Sequence, residues 1–472
     1  MTDRPYALSI PYRDPLDAFG AFAGDPVAAL LDGAADAGGR GRHAYIAADP
    51  FRVIGSGDET TIDGAPVAGD PFEVLGRELK KFRVQNDPGL PPFLTGAVGY
   101  LGYELGRHLE RLPEPQDAGL EAPDMVVGLY DTIAAFDTQT EQAWIVACDA
   151  GAGDGTLKRP PPAARAEAMA ARIAGWGAPG AIDWTRKGAW VPELSRRDYE
   201  EKVAKAIAYI HAGDIFQANL TQRILGDLAD GLDAFMLYRR LRRLSPAPFG
   251  AYLASGDGLA VASASPERFL RLDARGRVST RPIKGTRPSG ETSEEDLAQA
   301  QALLTSEKDR AENLMIVDLV RNDLSRVCRL GSVEVTELAG LESFANVHHL
   351  VSEVRGTLFP NKGAVDLLRA TFPGGSVTGA PKIRAMEIIN ELEPARRGPY
   401  CGAIAWIGFD GAMDSSIVIR TLVIKGTQVV AQAGGGIVAD SDPAAEYDES
   451  MDKARPLLES LDPQDIIKDE AS

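Results

Sequence analysis

The order of short apolar runs is the strongest constraint on this chain. In the second half, β-rich runs fall at residues 215–224, 259–265, 278–286, 403–409, 417–424 and 429–433. Several are joined by tight turns such as Asp273-Ala274-Arg275-Gly276, which is too short for the crossover that parallel strands require. The runs therefore predict hairpins and an α+β layer architecture, not alternating β-α-β units. Helical spacing of Tyr199, Val203, Ala206, Ile207 and Ile210, stopped by Gly213, places a helix before them. Further helices are expected at 294–324, broken near 304–306, and at 381–392 and 444–461. In the first half, runs at 125–136 and 142–148 flank a polar turn at 138–141 and predict another hairpin. A Gly/Pro/Ala-rich stretch divides the chain into an N-terminal region (1–150), a connecting segment (151–190) with a helix near 163–176, and a C-terminal region (191–465).

Charge narrows the choice of partner. The 472 residues carry 50 Lys plus Arg and 68 Asp plus Glu, a balance of 50 − 68 = −18. Such a chain is a poor match for nucleic acid or an anionic membrane. Cys148, Cys328 and Cys401 are isolated and suggest neither a disulfide framework nor a zinc site. No apolar run approaches the roughly 20 residues that span a bilayer. A cytoplasmic protein is expected.

Five features carry chemistry. If residue 271 pairs with 280, Glu267 falls opposite Lys284, about 5 Å away at Cβ. The pair then forms either a cross-strand salt bridge or an acid and a nucleophile, and a one-residue slip would separate them. Asp309 and Glu312 share one helical face, and Glu446, Glu449 and Lys453 share another. Carboxylates without a His or Cys cluster suit a hard cation such as Mg²⁺, or simply form solvated faces. Glycines at 374–379 and 434–436 offer backbone N–H groups to an anion, or only turn the chain. Arg420, set in an apolar run, calls for an acidic partner or a ligand. Lastly, Gln217, Asn219 and Thr221 line one strand face, either in a site or toward solvent.

Eight segments resemble the chorismate-utilising enzymes, a family that includes anthranilate synthase component I, aminodeoxychorismate synthase component I and the isochorismate and salicylate synthases. They are SPERF (265–269), PIKGTRP (282–288), DRAENLMIVDLVRNDL (309–324), HHLVSEV (348–354), GGSVTGAPKIRAME (374–387), RRGPYCGAIAW (396–406), AQAGGGIVADSDP (431–443) and EYDESMDKA (446–454). The resemblance implies an antiparallel β-sandwich of two sheets with surrounding helices, of the anthranilate synthase component I type. It also implies chorismate as substrate, Mg²⁺ as cofactor, and a glutamine amidotransferase subunit as the source of ammonia.

By the same resemblance, Lys284 attacks C2 of chorismate while Glu267 protonates the departing C4 hydroxyl, and ammonia then enters at C4. Glu312 and Glu449 would hold Mg²⁺, ordered by Glu446. His349 would lie near the ring. Gln217, Thr286, Ser376, Tyr400, Arg420, Gly434, Gly435 and Lys453 would surround the substrate. Isochorismate and salicylate synthases carry a general-base lysine where this chain has Gln217, and anthranilate synthases carry alanine where it has Lys284. The combination resembles the aminodeoxychorismate synthase branch, with anthranilate synthase component I as the alternative. A non-enzymatic, amino-acid-binding module on the same fold is the other contrast. Leu30-Leu31-Asp32-Gly33 lacks the serine that ends the tryptophan-contacting motif of relatives, which argues against amino-acid feedback.

Overall fold

The computed structural model describes residues 4–35, 38–149, 157–290, 292–344 and 347–462. Among these residues, two sheets of 12 strands each are antiparallel throughout. Both mix strands from the two ends of the chain. Val27–Asp32 pairs with Phe249–Ser255 in the first sheet, and Gly96–Leu101 pairs with Ala403–Gly408 in the second.

Side chains alternate between two cores. Ala29 on the first sheet points into the large core that also takes Val98, Leu270 and Ile404 from the second sheet. Its neighbours Ala28 and Leu30 point the other way, into a core closed by helices Pro15–Phe19, Pro162–Gly175, Ala234–Leu244 and Pro443–Leu461. This period of two makes the molecule a sandwich with helices packed outside one sheet. A third core joins helices Arg196–His211 and Lys382–Leu392 to strand Gln217–Asp227. The expected break near 304–306 separates helices Ser293–Thr305 and Glu307–Ser325, with Ser306 capping the second by accepting from the Asp309 N–H. Helix Pro162–Gly175, in the expected connecting segment, is more than a surface link. Its Ala166, Met169 and Ile173 are buried in the second core.

Three apolar runs that read as single strands are in fact divided. The run at 125–136 breaks at Asp131, between Met125–Tyr130 in the second sheet and Thr132–Asp137 in the first. Asp131 is fully buried at this crossing and is held by Arg159 at 3.0 Å and Arg165 at 3.3 Å. The run at 417–424 likewise passes from Met413–Ile417 to Thr421–Lys425 in the opposite sheet, through Arg420 at φ 52°. The run at 278–286 splits around Arg281-Pro282, and both parts pair with Val347–Thr357. Proline cannot donate to a ladder, which fixes the interruption. A continuous apolar stretch is ambiguous here because crossing between two buried sheets preserves burial while changing partners.

Candidate active site

The expected Glu267–Lys284 register is off by one: Arg271 pairs with Ser279, not residue 280. The ladder ends there, and Ile283–Pro288 turns to a different strand. The two groups nevertheless meet electrostatically, because a bulge lies between Ile283 and Thr286, with Gly285 at φ 84°. Bulges re-aim side chains in this way near sites. Replacing Gly285 would add strain, and a Cβ there would come within 3.0 Å of the Asp309 Cβ.

Glu267 is buried. Desolvation pushes its carboxyl up to about 7, against hydrogen bonds from the Ser376 hydroxyl and the Ile283 N–H and the positive charge of Lys284. Burial likewise lowers the Lys284 amine, assisted by Lys453 and opposed by Glu312, Glu267 and Glu449. An acid and an amine are thus both moved toward neutrality in one place. Ser376 sits on the short turn Gly375–Val377, beside Glu267. The Lys382 ammonium, four residues before Met386 in the same segment, is 2.6 Å from Asp323 and 2.9 Å from the Thr371 carbonyl. Its charge is thus engaged by these two groups.

Gln217 lies on the opposite wall. It is completely buried, and neither its amide oxygen nor its nitrogen has a hydrogen-bond partner. The polar strand face containing Asn219 and Thr221 is buried too, so the solvent-edge alternative is wrong. A Cβ on Gly436 would lie 2.6 Å from the Gln217 Nε2 and 3.3 Å from the Lys284 Nζ. Both side chains converge on backbone that only glycine leaves open.

The adjoining position collects charge. A Cβ on Gly435 would lie 3.0 Å from Glu446 Oε2, 3.6 Å from Glu449 Oε1 and 3.7 Å from Lys453 Nζ. Lys453 donates to the Gly434 carbonyl at 2.9 Å and pairs with Glu449 at 2.6 Å. Arg420 donates to the Lys453 carbonyl at 3.1 Å rather than meeting an acidic side chain. Its guanidinium feels both Tyr400 and Glu449. Tyr400 is buried, and burial keeps its phenol protonated. Burial also raises Glu312, with Asp309 and Glu449 adding repulsion against Lys284 and Lys308. Lys308, missed in the sequence, lies one turn before Glu312 and also acts on Glu446 and Glu449. Among the described residues, no three His, Cys, Asp or Glu side chains form a ready-made metal cluster.

His349 occupies strand Val347–Thr357, opposite Thr286 on one side and Glu342 on the other. Burial lowers its imidazole to about 4, despite Glu342 and a hydrogen bond to the Gly285 backbone. It is neutral at pH 7. The Thr286 side chain lies outside the described residues. A cavity of about 430 Å³ lies elsewhere, between the sheets, with Leu31, Tyr45, Phe249 and Trp406 in its wall. Among the described residues Asp323 and Lys382 are shifted in the same two directions as Glu267 and Lys284, but they hold each other at 2.6 Å. Glu267 and Lys284 stand instead beside the unpartnered Gln217 amide, which makes them the candidate site.

The sequence profile described as "chorismate binding enzyme" matches residues 34–459. The chain belongs to this family. It is 44% identical over 468 residues to aminodeoxychorismate synthase component 1 of Klebsiella aerogenes, covering 97% of this chain and 99% of that protein. It is also 41% identical to anthranilate synthase component 1 of Thermus thermophilus, covering 93% and 92%. The crystal structure of anthranilate synthase component I from Streptococcus pneumoniae superposes with a TM-score of 0.78 at 32% identity, covering 88% and 92%. The α+β sandwich and the chorismate-utilising class thus agree with expectation, and a non-enzymatic module does not. No helix among the described residues is long and apolar enough to cross a membrane.

Proposed function

We propose that this member of the chorismate-binding family makes 4-amino-4-deoxychorismate from chorismate and ammonia, as an aminodeoxychorismate synthase component I in p-aminobenzoate and folate synthesis. The observation that carries this reading is Lys284, an amine with depressed basicity facing a carboxyl raised to about 7. An amine of ordinary pKa is neutral in only about one molecule in 10³ to 10⁴ at pH 7, a handicap of roughly 4–5 kcal/mol. Burial reduces that handicap.

In the proposed sequence, neutral Lys284 adds to C2 of the ring as the double bonds shift and the C4–O bond breaks. Glu267 gives its proton to that oxygen, so water leaves and Glu267 becomes a carboxylate. Ammonia then adds at C4, the double bonds shift back, and the C2–N bond to Lys284 breaks. Glu267 accepts the surplus proton from the new ammonium. Splitting one displacement into two steps through a lysine adduct is nucleophilic catalysis. Gln217, with unpartnered amide groups near Lys284, is suited to hydrogen-bond the substrate or incoming ammonia. Neutral His349 would approach the ring without adding charge. Tyr400, Arg420, Lys453 and the Gly434-Gly435 backbone would receive the carboxylates and enolpyruvyl arm.

A Mg²⁺ ion fits the cradle over Gly435, where oxygen donors gather and a Cβ would intrude. Glu312 and Glu449 would hold it, with Glu446 ordering them. Mg²⁺ usually takes only one or two protein carboxylates and completes its shell with water and substrate oxygens, so a full protein cage is not required. When bound, it would neutralise the substrate's carboxylates. Ammonia would come from a glutamine amidotransferase partner, in keeping with the "component 1" in the relatives' names.

The test is a product assay with purified protein, chorismate, Mg²⁺ and ammonium. Aminodeoxychorismate is expected, and fluorescent anthranilate as the main product would overturn the reading in favour of anthranilate synthesis. Lys284→Ala should abolish amination; unchanged turnover would remove the covalent route.

A further inference from the structure

Glu342 has no part in the chemistry above, yet Arg40, Arg281 and the strand that carries His349 all bear on it. It lies directly opposite His349 in the antiparallel ladder, so the two side chains share a face of the sheet. Arg40, from the N-terminal region, grips it with two hydrogen bonds at 2.6 and 3.3 Å. Arg281, three residues before Lys284, donates to the same carboxylate and also reaches Glu337 at 3.1 Å and Glu353 at 3.6 Å. Although burial acts against it, the two guanidinium groups hold Glu342 below the usual carboxylate range. It is therefore a fixed anion at physiological pH.

The geometry matters because the Lys284 strand is irregular. Its ladder with Val347–Thr357 is interrupted between Ile283 and Thr286, so the regular pairing leaves Lys284 unconstrained. Two links flank this gap. The Arg281–Glu342 pair ties its entrance to strand Glu334–Phe344, and a hydrogen bond joins His349 to the Gly285 backbone. Both links run through the neighbourhood of one pair, Glu342 and His349.

We infer that Glu342 is a positioning residue for the reaction, fixing the His349 strand against the Lys284 segment through its shared ion pairs with Arg40 and Arg281. This rests on the reading that Lys284 and His349 face the substrate. Glu342 itself touches no reacting atom. Its removal should therefore slow the step after binding while leaving affinity for chorismate nearly intact.

The experiment measures kcat and KM for chorismate in wild type, Lys284→Ala, Glu342→Gln, Glu342→Asp and Arg40→Gln, with saturating ammonium and Mg²⁺. Near-UV circular dichroism gives the folded fraction. Glu342→Gln keeps the shape but leaves two arginines without their common anion. Its kcat per folded enzyme should fall roughly ten- to a hundredfold, the scale expected for a displacement near 1 Å, with KM within about twofold. Glu342→Asp keeps the charge and should recover part of the loss. Arg40→Gln, which removes one of two grips, should show a smaller fall of the same kind. It decides the matter if Glu342→Gln does not fold. Wild-type kcat in Arg40→Gln, or a Glu342→Gln loss explained wholly by KM or by unfolded protein, would overturn the inference. Failure of the underlying reading looks different: an inactive wild type, or full activity in Lys284→Ala.

Discussion

Ser376→Ala probes the balance that sets Glu267. The Ser376 hydroxyl donates to the Glu267 carboxyl and is the largest influence opposing its desolvation. A hydrogen bond to a charged group contributes about 1.5–3 kcal/mol, and one pKa unit corresponds to about 1.4 kcal/mol. Losing the bond disfavours the carboxylate, so the Glu267 pKa should rise from about 7 by roughly one to two units. Glu267 must be protonated to act as an acid. Activity controlled by it is present below that pKa and declines as pH rises through it. In a profile of kcat/KM for chorismate, which reports the free enzyme, the alkaline limb should move to higher pH. Free ammonia is held constant across the series, so that its own titration does not shape the curve. The absolute rate can fall if Ser376 also contacts substrate, but the position of the limb does not depend on that. A limb that stays in place, or moves to lower pH, would refute the assignment of the proton to Glu267.

Two further substitutions test the surroundings. Gly435→Ala places a methyl group 3.0 Å from Glu446 Oε2 and 3.6 Å from Glu449 Oε1, which should spread the carboxylates apart. The Mg²⁺ concentration for half-maximal activity should rise about tenfold or more while far-ultraviolet circular dichroism is retained; an unchanged Mg²⁺ requirement would place the metal elsewhere. Glu393→Gln breaks a buried pair in which Arg397 donates to Glu393 at 2.6 and 2.8 Å and Thr221 donates at 2.7 and 2.9 Å. Leaving the buried guanidinium without its anion should cost about 3–5 kcal/mol, seen as a lower urea midpoint at constant slope, and a loss below about 1 kcal/mol would contradict it.

Much of this molecule is legible in its sequence because helix caps and period-two burial are local signals. Ser306 marks the break between two helices, and Ala28–Ala29–Leu30 alternates between cores as a strand should. The site was harder to read for a physical reason. Its groups come from segments hundreds of residues apart, and their meeting depends on irregular backbone. The pairing expected for residue 271 already differs by one within its own hairpin, where Arg271 meets Ser279, and beyond it a regular register carried through Pro282 cannot anticipate the bulge between Ile283 and Thr286. Asp131 and Arg420 carried a usable signal: a charge inside an apolar run marks a crossing between two buried sheets. Asp131 is held by two arginines, while Arg420, for which the sequence calls for an acidic partner or a ligand, donates to a backbone carbonyl and feels Glu449. Glu342 left no such mark, because a glutamate in a polar edge strand looks solvated until Arg40, about 300 residues earlier in the chain, folds against it. What sequence conceals here is therefore convergence rather than chemistry. A lone charge in an apolar run can be read, but a carboxylate made structural by two distant arginines appears only once the chain is closed.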